Sequence, residues 1–157
     1  MVSVLFVCLG NICRSPAAEG ILRKMNDESK KPLELQVESC GIGCWHVGLL
    51  PHESMREAAK ERGFLLVSRA QQFKPVFLDQ FDFILAADQS ILNELYNLAI
   101  TSEHKAKVHL ISEYSESYPR EVIPDPFYEG KEGFDKVLDM LEDSCEGILN
   151  HIRKEQL

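Results

Sequence analysis

The sequence lacks an apolar run long enough to cross a membrane, an N-terminal signal peptide and any Asn-x-Ser/Thr glycosylation acceptor. It also has no excess of basic residues. The 157-residue chain carries a formal net charge of −8, which argues against general nucleic-acid binding and against attraction to anionic membranes. These absences lead us to expect a cytoplasmic protein that binds neither nucleic acid nor a membrane.

Cysteine is present, but in no pattern typical of disulfides or zinc. Its number is odd, and the five residues lie at positions 8, 13, 40, 44 and 145. We therefore expect free thiols in a reducing compartment, with no metal and no cofactor. Cys40 and Cys44 flank two glycines and could supply at most half of a metal site; the other interpretation is that they are ordinary loop and core cysteines.

Stretches typical of strands and helices alternate along the chain. With 45% hydrophobic residues it is long enough to bury one core, which predicts a single domain over 1–157. Periodicity predicts strands over 3–8, 33–41, 83–86 and 108–111, and helices over 16–27, about 52–62, 91–96 and 134–152. This alternation predicts a single-domain α/β fold, a four-stranded parallel sheet with helices on both faces. Ligands of such sheets bind at the carboxyl ends of the strands, where Cys8, Ser39 and Asp88 fall.

The most informative segment lies between the first strand and the first helix, and reads Cys8-Leu9-Gly10-Asn11-Ile12-Cys13-Arg14-Ser15-Pro16. Ser15 followed by Pro16 is a typical helix start, so the loop before it presents unpaired amides that can bind an oxyanion. Arg14 can hold two oxygens of that anion in a bidentate fork. A thiolate is favoured at a helix N-terminus beside an arginine, which makes Cys8 a candidate nucleophile.

Two motifs resemble those of the low-molecular-weight protein tyrosine phosphatases. Cys8 to Ser15 is similar to the family's phosphate-binding signature, and 123–128, Ile-Pro-Asp-Pro-Phe-Tyr, resembles the loop that carries its general acid. The resemblance extends from Met1 to the last helix and implies the family's flavodoxin-like fold. It also implies a phosphate-binding loop made of Leu9, Gly10, Asn11, Ile12, Cys13 and Ser15 around the catalytic Cys8 and Arg14.

The resemblance implies hydrolysis of phosphotyrosine in two displacements. Cys8 attacks phosphorus and forms a cysteinyl-phosphate while Asp125 protonates the leaving phenolate; Asp125 then activates water as a base. Ser15 would hydrogen-bond the sulfur of Cys8, and Asn11 would shape the loop. Cys13 resembles the family's protective redox partner, but a small buried residue without a redox role remains the alternative.

Substrate preference is predicted from the aromatic residues Trp45, Phe127 and Tyr128, which could form a slot for a phosphotyrosine ring. A purely structural role for Trp45 is the alternative. Isoleucine at position 12, where relatives that act on phosphoarginine usually have threonine, favours phosphotyrosine. We expect phosphotyrosine-containing proteins as partners, and a monomer or weak dimer. A protein-arginine phosphatase of the same fold and a non-catalytic phosphopeptide-binding module are the alternatives.

Three further residues are predicted to support the site, namely Ser39, Ser68 and Asp88. Ser68 stands where many relatives have a histidine, so we expect a changed hydrogen-bond network behind the loop, with Ser68 as a partial substitute. Asp88 is either a helix cap or a site residue. His52 precedes a predicted helix without the second histidine of a zinc protease, and we interpret it as ordinary helix surface.

Overall fold

The computed structural model describes residues 1–127 and 129–156, and its centre is a parallel sheet of four strands. The strands are β1 (Val2–Cys8), β2 (Leu35–Gly41), β3 (Phe83–Ala86) and β4 (Val108–Leu110), in the order β2-β1-β3-β4. All neighbouring strands are parallel, so the predicted α/β fold class is confirmed. Tyr128 and Leu157 lie outside the described residues.

Helices and one 3-10 turn connect the strands. They are α1 (Arg14–Glu28), α2 (Glu53–Glu61), α3 (Phe77–Gln80), α4 (Gln89–Leu98), α5 (Ser102–Ala106), a 3-10 turn (Ile111–Tyr114) and α6 (Lys131–Glu155). Within residues 1–127 and 129–156, no helix is both long enough and apolar enough for a membrane span.

Alternate residues of β1 pack into two separate hydrophobic cores, one on each face of the sheet. Val4 and Phe6 belong to the core formed with α1, α2 and α6. Leu5 and Val7 belong to the core formed with α3 and α4. Because side chains alternate along a strand, a central strand that is covered on both sides carries apolar residues on both of its faces. The predicted helices on both faces are confirmed.

Helix α6 shows the clearest agreement between periodicity and burial. Its inner face is buried throughout, and consists of Phe134, Val137, Leu138, Leu141, Cys145, Ile148, Leu149 and Ile152. These positions recur at intervals of three and four residues, which places them on one side of a helix. Met55, Ala58 and Ala59 of α2 are buried in the same core.

Several predicted boundaries are wrong. Strand β2 begins at Leu35 rather than at position 33, and Ile111 is not in β4 but begins the 3-10 turn, although its side chain is fully buried. Ile111 was assigned to the strand because it is apolar, but an apolar residue can be buried in a turn as well as in a strand. The first helix begins at Arg14, two residues before the predicted start. Helices α3 and α5, of four and five residues, are too short to produce a periodic pattern.

The strand register brings the carboxyl ends of the first three strands together. Cys8 pairs with Gly41 of β2, and Val7 pairs with Ala86 of β3. The loop after β1 passes directly over Gly41, where a Cβ atom would lie 2.9 Å from the carbonyl oxygen of Leu9 and from the amide nitrogen of Asn11. Glycine at position 41 therefore allows the loop to approach β2.

Candidate active site

The candidate nucleophile, Cys8, ends β1 and faces the N-terminus of α1. Its Sγ atom accepts a hydrogen bond from the backbone N–H of Asn11 at 3.3 Å and lies 2.9 Å from the Oγ atom of Ser15. A thiolate can only accept, so Ser15 donates to the sulfur when Cys8 is ionised. The hydroxyl of Ser15 thus points to the sulfur, not to a backbone amide. This explains why the predicted Ser15–Pro16 helix start is wrong.

Asn11 gives the phosphate loop its shape. Its φ angle of 58° is in the left-handed region, which asparagine tolerates better than most residues. The side-chain Nδ2 atom donates to Ser15 Oγ at 2.7 Å and to Ser39 Oγ at 3.0 Å, and Oδ1 accepts from the backbone N–H of Gln71 at 2.9 Å. Three partners from three segments of the chain therefore fix the loop around Cys8.

Arg14 is only 3% exposed, and acidic and carbonyl oxygens surround its guanidinium. Nη1 donates to Asp88 Oδ2 at 2.7 Å and to the carbonyl oxygen of Ile123 at 3.0 Å, and Nη2 lies 3.8 Å from Asp125 Oδ2. Asp88 also accepts from the backbone N–H of Ile91, as the N-cap of α4. The carboxylate of Asp88 therefore caps α4, as one interpretation expected, and also pairs with the candidate site residue Arg14.

The candidate acid, Asp125, lies on a segment that is tied to the site at its start. The N–H of Ile123 donates to the carbonyl oxygen of Ala87 at 2.8 Å, and the carbonyl oxygen of Ile123 accepts from Arg14. Asp125 Oδ1 accepts from the N–H of Phe127 at 3.1 Å, while its side chain is 46% exposed. The carboxylate is therefore both oriented and open to solvent.

A cavity of about 230 Å³ connects these groups. Its lining combines the nucleophile, the arginine, the candidate acid and apolar walls, and consists of Cys8, Leu9, Gly10, Ile12, Cys13, Arg14, Trp45, His46, Asp125 and Phe127. Trp45 and Phe127 thus lie where the sequence predicted a pocket wall. The third predicted wall residue, Tyr128, is outside the described residues.

Trp45 also makes a packing contact within its own loop, as its alternative, structural interpretation expects. Its ring lies against Gly43, where a Cβ atom would be 1.8 Å from a ring carbon, although the side chain is 67% exposed. His46 also lines the cavity, and a Cβ atom on Gly10 would be 2.8 Å from its Cδ2 atom. Glycine at position 10 therefore makes room for this imidazole.

Behind the loop, the buried carboxylate of Glu19 accepts hydrogen bonds from the hydroxyls of Ser39 and Ser68. Ser39 donates to Oε1 at 2.5 Å, Ser68 donates to Oε2, and Arg23 pairs with Oε2 at 2.8 Å. Since Ser39 also accepts from Asn11, the structure places the predicted Ser39 and Ser68 in one network. Sequence reasoning missed Glu19. It could have been found from its position four residues after Ser15, because the two residues then share a helix face. That face is buried, and a charged residue is rarely buried without a partner.

Cys13 lies in the same cavity as Cys8 but is 4% exposed. Burial, and then the charges of Cys8 and Asp125, raise the pKa of Cys13 to about 12, so it is a thiol at neutral pH. Of the other two cysteines discussed above, Cys40 is buried and Cys44 is exposed. In the part of the chain that the structure describes, no group of three or more His, Cys, Asp or Glu residues is arranged to hold a metal ion.

Comparisons with known proteins give the same family throughout. The family described as low molecular weight phosphotyrosine protein phosphatase matches residues 3–157. The low molecular weight protein-tyrosine-phosphatase YfkJ of Bacillus subtilis is 38% identical over 99% of each chain. Its crystal structure superposes with a TM-score of 0.91, over 100% of this chain and 98% of YfkJ.

Two further solved structures are similar. The protein tyrosine phosphatase of Entamoeba histolytica, with Hepes in its active site, has a TM-score of 0.94 at 32% identity and covers 100% of both chains. A Drosophila arginine phosphatase has a TM-score of 0.87 at 33% identity, over 97% of this chain and 98% of its own.

Proposed function

The chain belongs to the low molecular weight phosphotyrosine protein phosphatase family, and from this premise we propose that Cys8, Arg14 and Asp125 carry out its chemistry. The protein is a protein tyrosine phosphatase, a hydrolase that acts on phosphoproteins. The observation that carries the residue assignment is that these three side chains line one cavity. Residues 1–157 form its single catalytic domain.

In the first step the thiolate of Cys8 attacks phosphorus. The new S–P bond forms as the P–O bond to the tyrosyl oxygen breaks, and Asp125 gives its proton to the departing oxygen. Arg14 and the loop amides stabilise the charge on the phosphoryl oxygens during this transfer. The pairing of Arg14 with Asp88 and Ile123 supports this role, because it orients the guanidinium before substrate binds.

In the second step water hydrolyses the cysteinyl-phosphate. Asp125, now a carboxylate, accepts a proton from water, whose oxygen forms a bond to phosphorus as the S–P bond breaks. The hydrogen bond from Ser15 stabilises the leaving thiolate. The 46% exposure of Asp125 supports this step, since water can reach the carboxylate.

Phosphotyrosine is the proposed substrate group. The walls that Trp45, Phe127 and Ile12 give the cavity suit an aromatic ring. Phosphoarginine is the second candidate, because a Drosophila arginine phosphatase shares the fold at 33% identity. Hydrolysis rates on matched phosphotyrosine, phosphoarginine and phosphoserine peptides distinguish the two. We expect phosphotyrosine to be preferred, and preference for phosphoarginine would overturn the assignment.

Two substitutions test the mechanism. Cys8→Ser removes the nucleophile, so it is expected to abolish hydrolysis of p-nitrophenyl phosphate while leaving the melting temperature near that of the wild type. Asp125→Ala removes the acid, so it should slow esters with basic leaving groups more than esters with acidic ones. Equal losses on both classes would exclude Asp125 as the acid.

A wild type that binds phosphotyrosine peptide without releasing phosphate would be a binding module instead.

Cys13 is the proposed redox partner of Cys8. Peroxide oxidises the thiolate of Cys8 to a sulfenic acid, and the sulfur of Cys13 then forms a disulfide with loss of water. The shared cavity supports this pairing, and the raised pKa of Cys13 predicts slow capture at neutral pH. Mass spectrometry after mild peroxide should show the Cys8–Cys13 disulfide; a Cys8 sulfinate without it would refute protection.

Because catalysis needs a reduced Cys8, we place the enzyme in the cytoplasm.

A further inference from the structure

His52 connects the phosphate loop to helix α2. Its backbone N–H donates to the carbonyl oxygen of Ile12 at 2.7 Å, and its Nδ1 atom accepts from the backbone N–H of Ser54 at 3.1 Å as the N-cap of α2. The residue was interpreted from the sequence as ordinary helix surface. That interpretation is wrong, because both its backbone and its ring nitrogen have defined partners.

The imidazole ring of His52 also lies between two phenylalanines. Phe127 contacts it edge-on, with ring centroids 5.4 Å apart and an interplanar angle of 70°. Phe134 stacks on it at 5.5 Å and 26°. Phe134 is in the first turn of α6 and is 3% exposed, so it is a fixed support in the core. Phe127 therefore packs on the ring of His52, which in turn packs on the fixed ring of Phe134.

The position of Phe127 bears directly on the candidate acid. The backbone N–H of Phe127 donates to Asp125 Oδ1, two residues earlier, so a shift of Phe127 shifts the carboxylate. The other end of this segment is held at Ile123 by Arg14 and Ala87. The segment is thus attached to the site at Ile123, and the ring of His52 contacts its other end at Phe127.

We propose that His52 is a positioning residue for the acid, an inference that rests on the proposed function. Its backbone binds the phosphate loop and its ring contacts the segment that carries Asp125, so His52 helps to fix the spacing between Asp125 and Cys8. A displacement of about 1 Å in a catalytic group can cost up to about 10²-fold in rate. Deleting the ring should therefore weaken acid catalysis while the nucleophile is retained.

The test compares His52→Asn with His52→Phe. Asparagine keeps a side-chain acceptor suited to the N-cap but has no ring, whereas phenylalanine keeps a ring and loses the cap acceptor. The readout is kcat/KM for phenyl phosphate, which has a basic leaving group, and for p-nitrophenyl phosphate, which has a less basic one. We expect His52→Asn to lower the first by about tenfold and the second by less than about threefold.

The phenylalanine variant should restore the wild-type ratio of the two rates, with a lower melting temperature because the cap is lost. Thr101→Ala is the matched capping control: it removes the side-chain acceptor at the exposed N-cap of α5 and should leave both rates unchanged. Equal losses on the two esters in His52→Asn, or the same skewed ratio in His52→Phe, would overturn the role of His52. A wild type inactive on both esters would overturn the proposed function as well.

Discussion

Asp88 holds Arg14 with one carboxylate oxygen and begins helix α4 with the other. Oδ2 accepts from Arg14 Nη1 at 2.7 Å, and Oδ1 accepts from the backbone N–H of Ile91 at 2.9 Å. The guanidinium is buried, so a neighbouring negative charge offsets the cost of removing it from water. The orientation of Arg14 is thereby linked to the start of α4, which packs on the opposite face of the sheet from α1.

Asp88→Asn separates these two functions of Asp88. Asparagine is as good an N-cap as aspartate, so the melting temperature should stay close to that of the wild type. The guanidinium of Arg14 loses the nearer of its two carboxylate neighbours, and we expect kcat/KM for p-nitrophenyl phosphate to fall by about tenfold, since a hydrogen bond to a charged group contributes about 1.5–3 kcal/mol.

Asp88→Ala is the companion variant, because it removes both functions. We expect the same loss of activity, together with a further loss of about 1 kcal/mol in the free energy of unfolding. Urea denaturation of both variants measures the difference. Equal stabilities would show that the cap contributes nothing, and full activity in Asp88→Asn would show that Arg14 does not need the charge of Asp88.

Arg14→Lys should be far from conservative. Lysine keeps the charge but not the planar fork that binds two phosphoryl oxygens and donates to Asp88 and Ile123. We expect kcat/KM to fall by at least about 10²-fold, the loss seen when one transition-state donor is removed, and inhibition by vanadate to weaken in parallel. Arg23→Lys is the matched control, because Arg23 pairs with Glu19 outside the cavity; a similar loss there would show that phosphate binding is not the cause.

The parts of the candidate site that could be located from the sequence are those contained in short segments. Cys8 ends β1 and Arg14 begins α1, so both fall in the one segment whose residue types predict an anion site. The contacts that were missed connect distant parts of the sequence. The ring of His52 contacts those of Phe127 and Phe134, which are 75 and 82 positions away. Such contacts depend on how α2 and α6 pack, and no local pattern contains that information.

The same limit explains the errors in local structure. Ser15 has the residue type of a helix cap, but its hydroxyl is more favourably used beside Cys8 and Asn11, so the helix begins at Arg14 instead. Tertiary hydrogen bonds therefore outweighed a local capping preference. Strands β1 and β3 were predictable because they are buried on both faces and read as nearly continuous apolar runs, whereas β2 was predicted from alternating apolar residues.

The Glu19 network predicts a graded response to hydroxyl deletion. Ser39 links Glu19 to Asn11, whereas Ser68 contacts Glu19 from the outer side. Ser39→Ala removes two buried hydrogen bonds and Ser68→Ala removes one that is partly buried, so we expect losses of about 2 and about 1 kcal/mol in the free energy of unfolding. Only Ser39→Ala breaks the connection to the phosphate loop.

We therefore expect kcat/KM to fall by about tenfold in Ser39→Ala, equivalent to about 1.4 kcal/mol, and by less than about threefold in Ser68→Ala. Chemical denaturation and steady-state kinetics on the same preparations measure both quantities. Equal losses of activity would show that Ser68 supports the loop as strongly as Ser39 does, and thus that it fully replaces the family's histidine.

Stability at high pH should depend on Cys13. Burial raises its pKa from an ordinary value of 9.0 to about 12 in the folded protein. A raised pKa means that the folded state holds the proton more tightly than the unfolded state does. The contribution of Cys13 to stability is therefore complete below pH 9 and is lost as the pH rises from about 9 to 12, by about 1.4 kcal/mol per pH unit.

Urea unfolding of wild type and Cys13→Ala between pH 8 and 11 measures this contribution as a difference in slope. The alanine variant is expected to start from a lower stability, because a buried sulfur is lost, and to decline less steeply above pH 9. Burial likewise raises the pKa of Cys40 and Cys145, so part of the slope should remain. Cys44→Ala, at an exposed position, should keep the wild-type slope. Parallel curves for wild type and Cys13→Ala would mean that Cys13 ionises as readily in the folded protein as in the unfolded chain, and slow capture of an oxidised Cys8 would then need another cause.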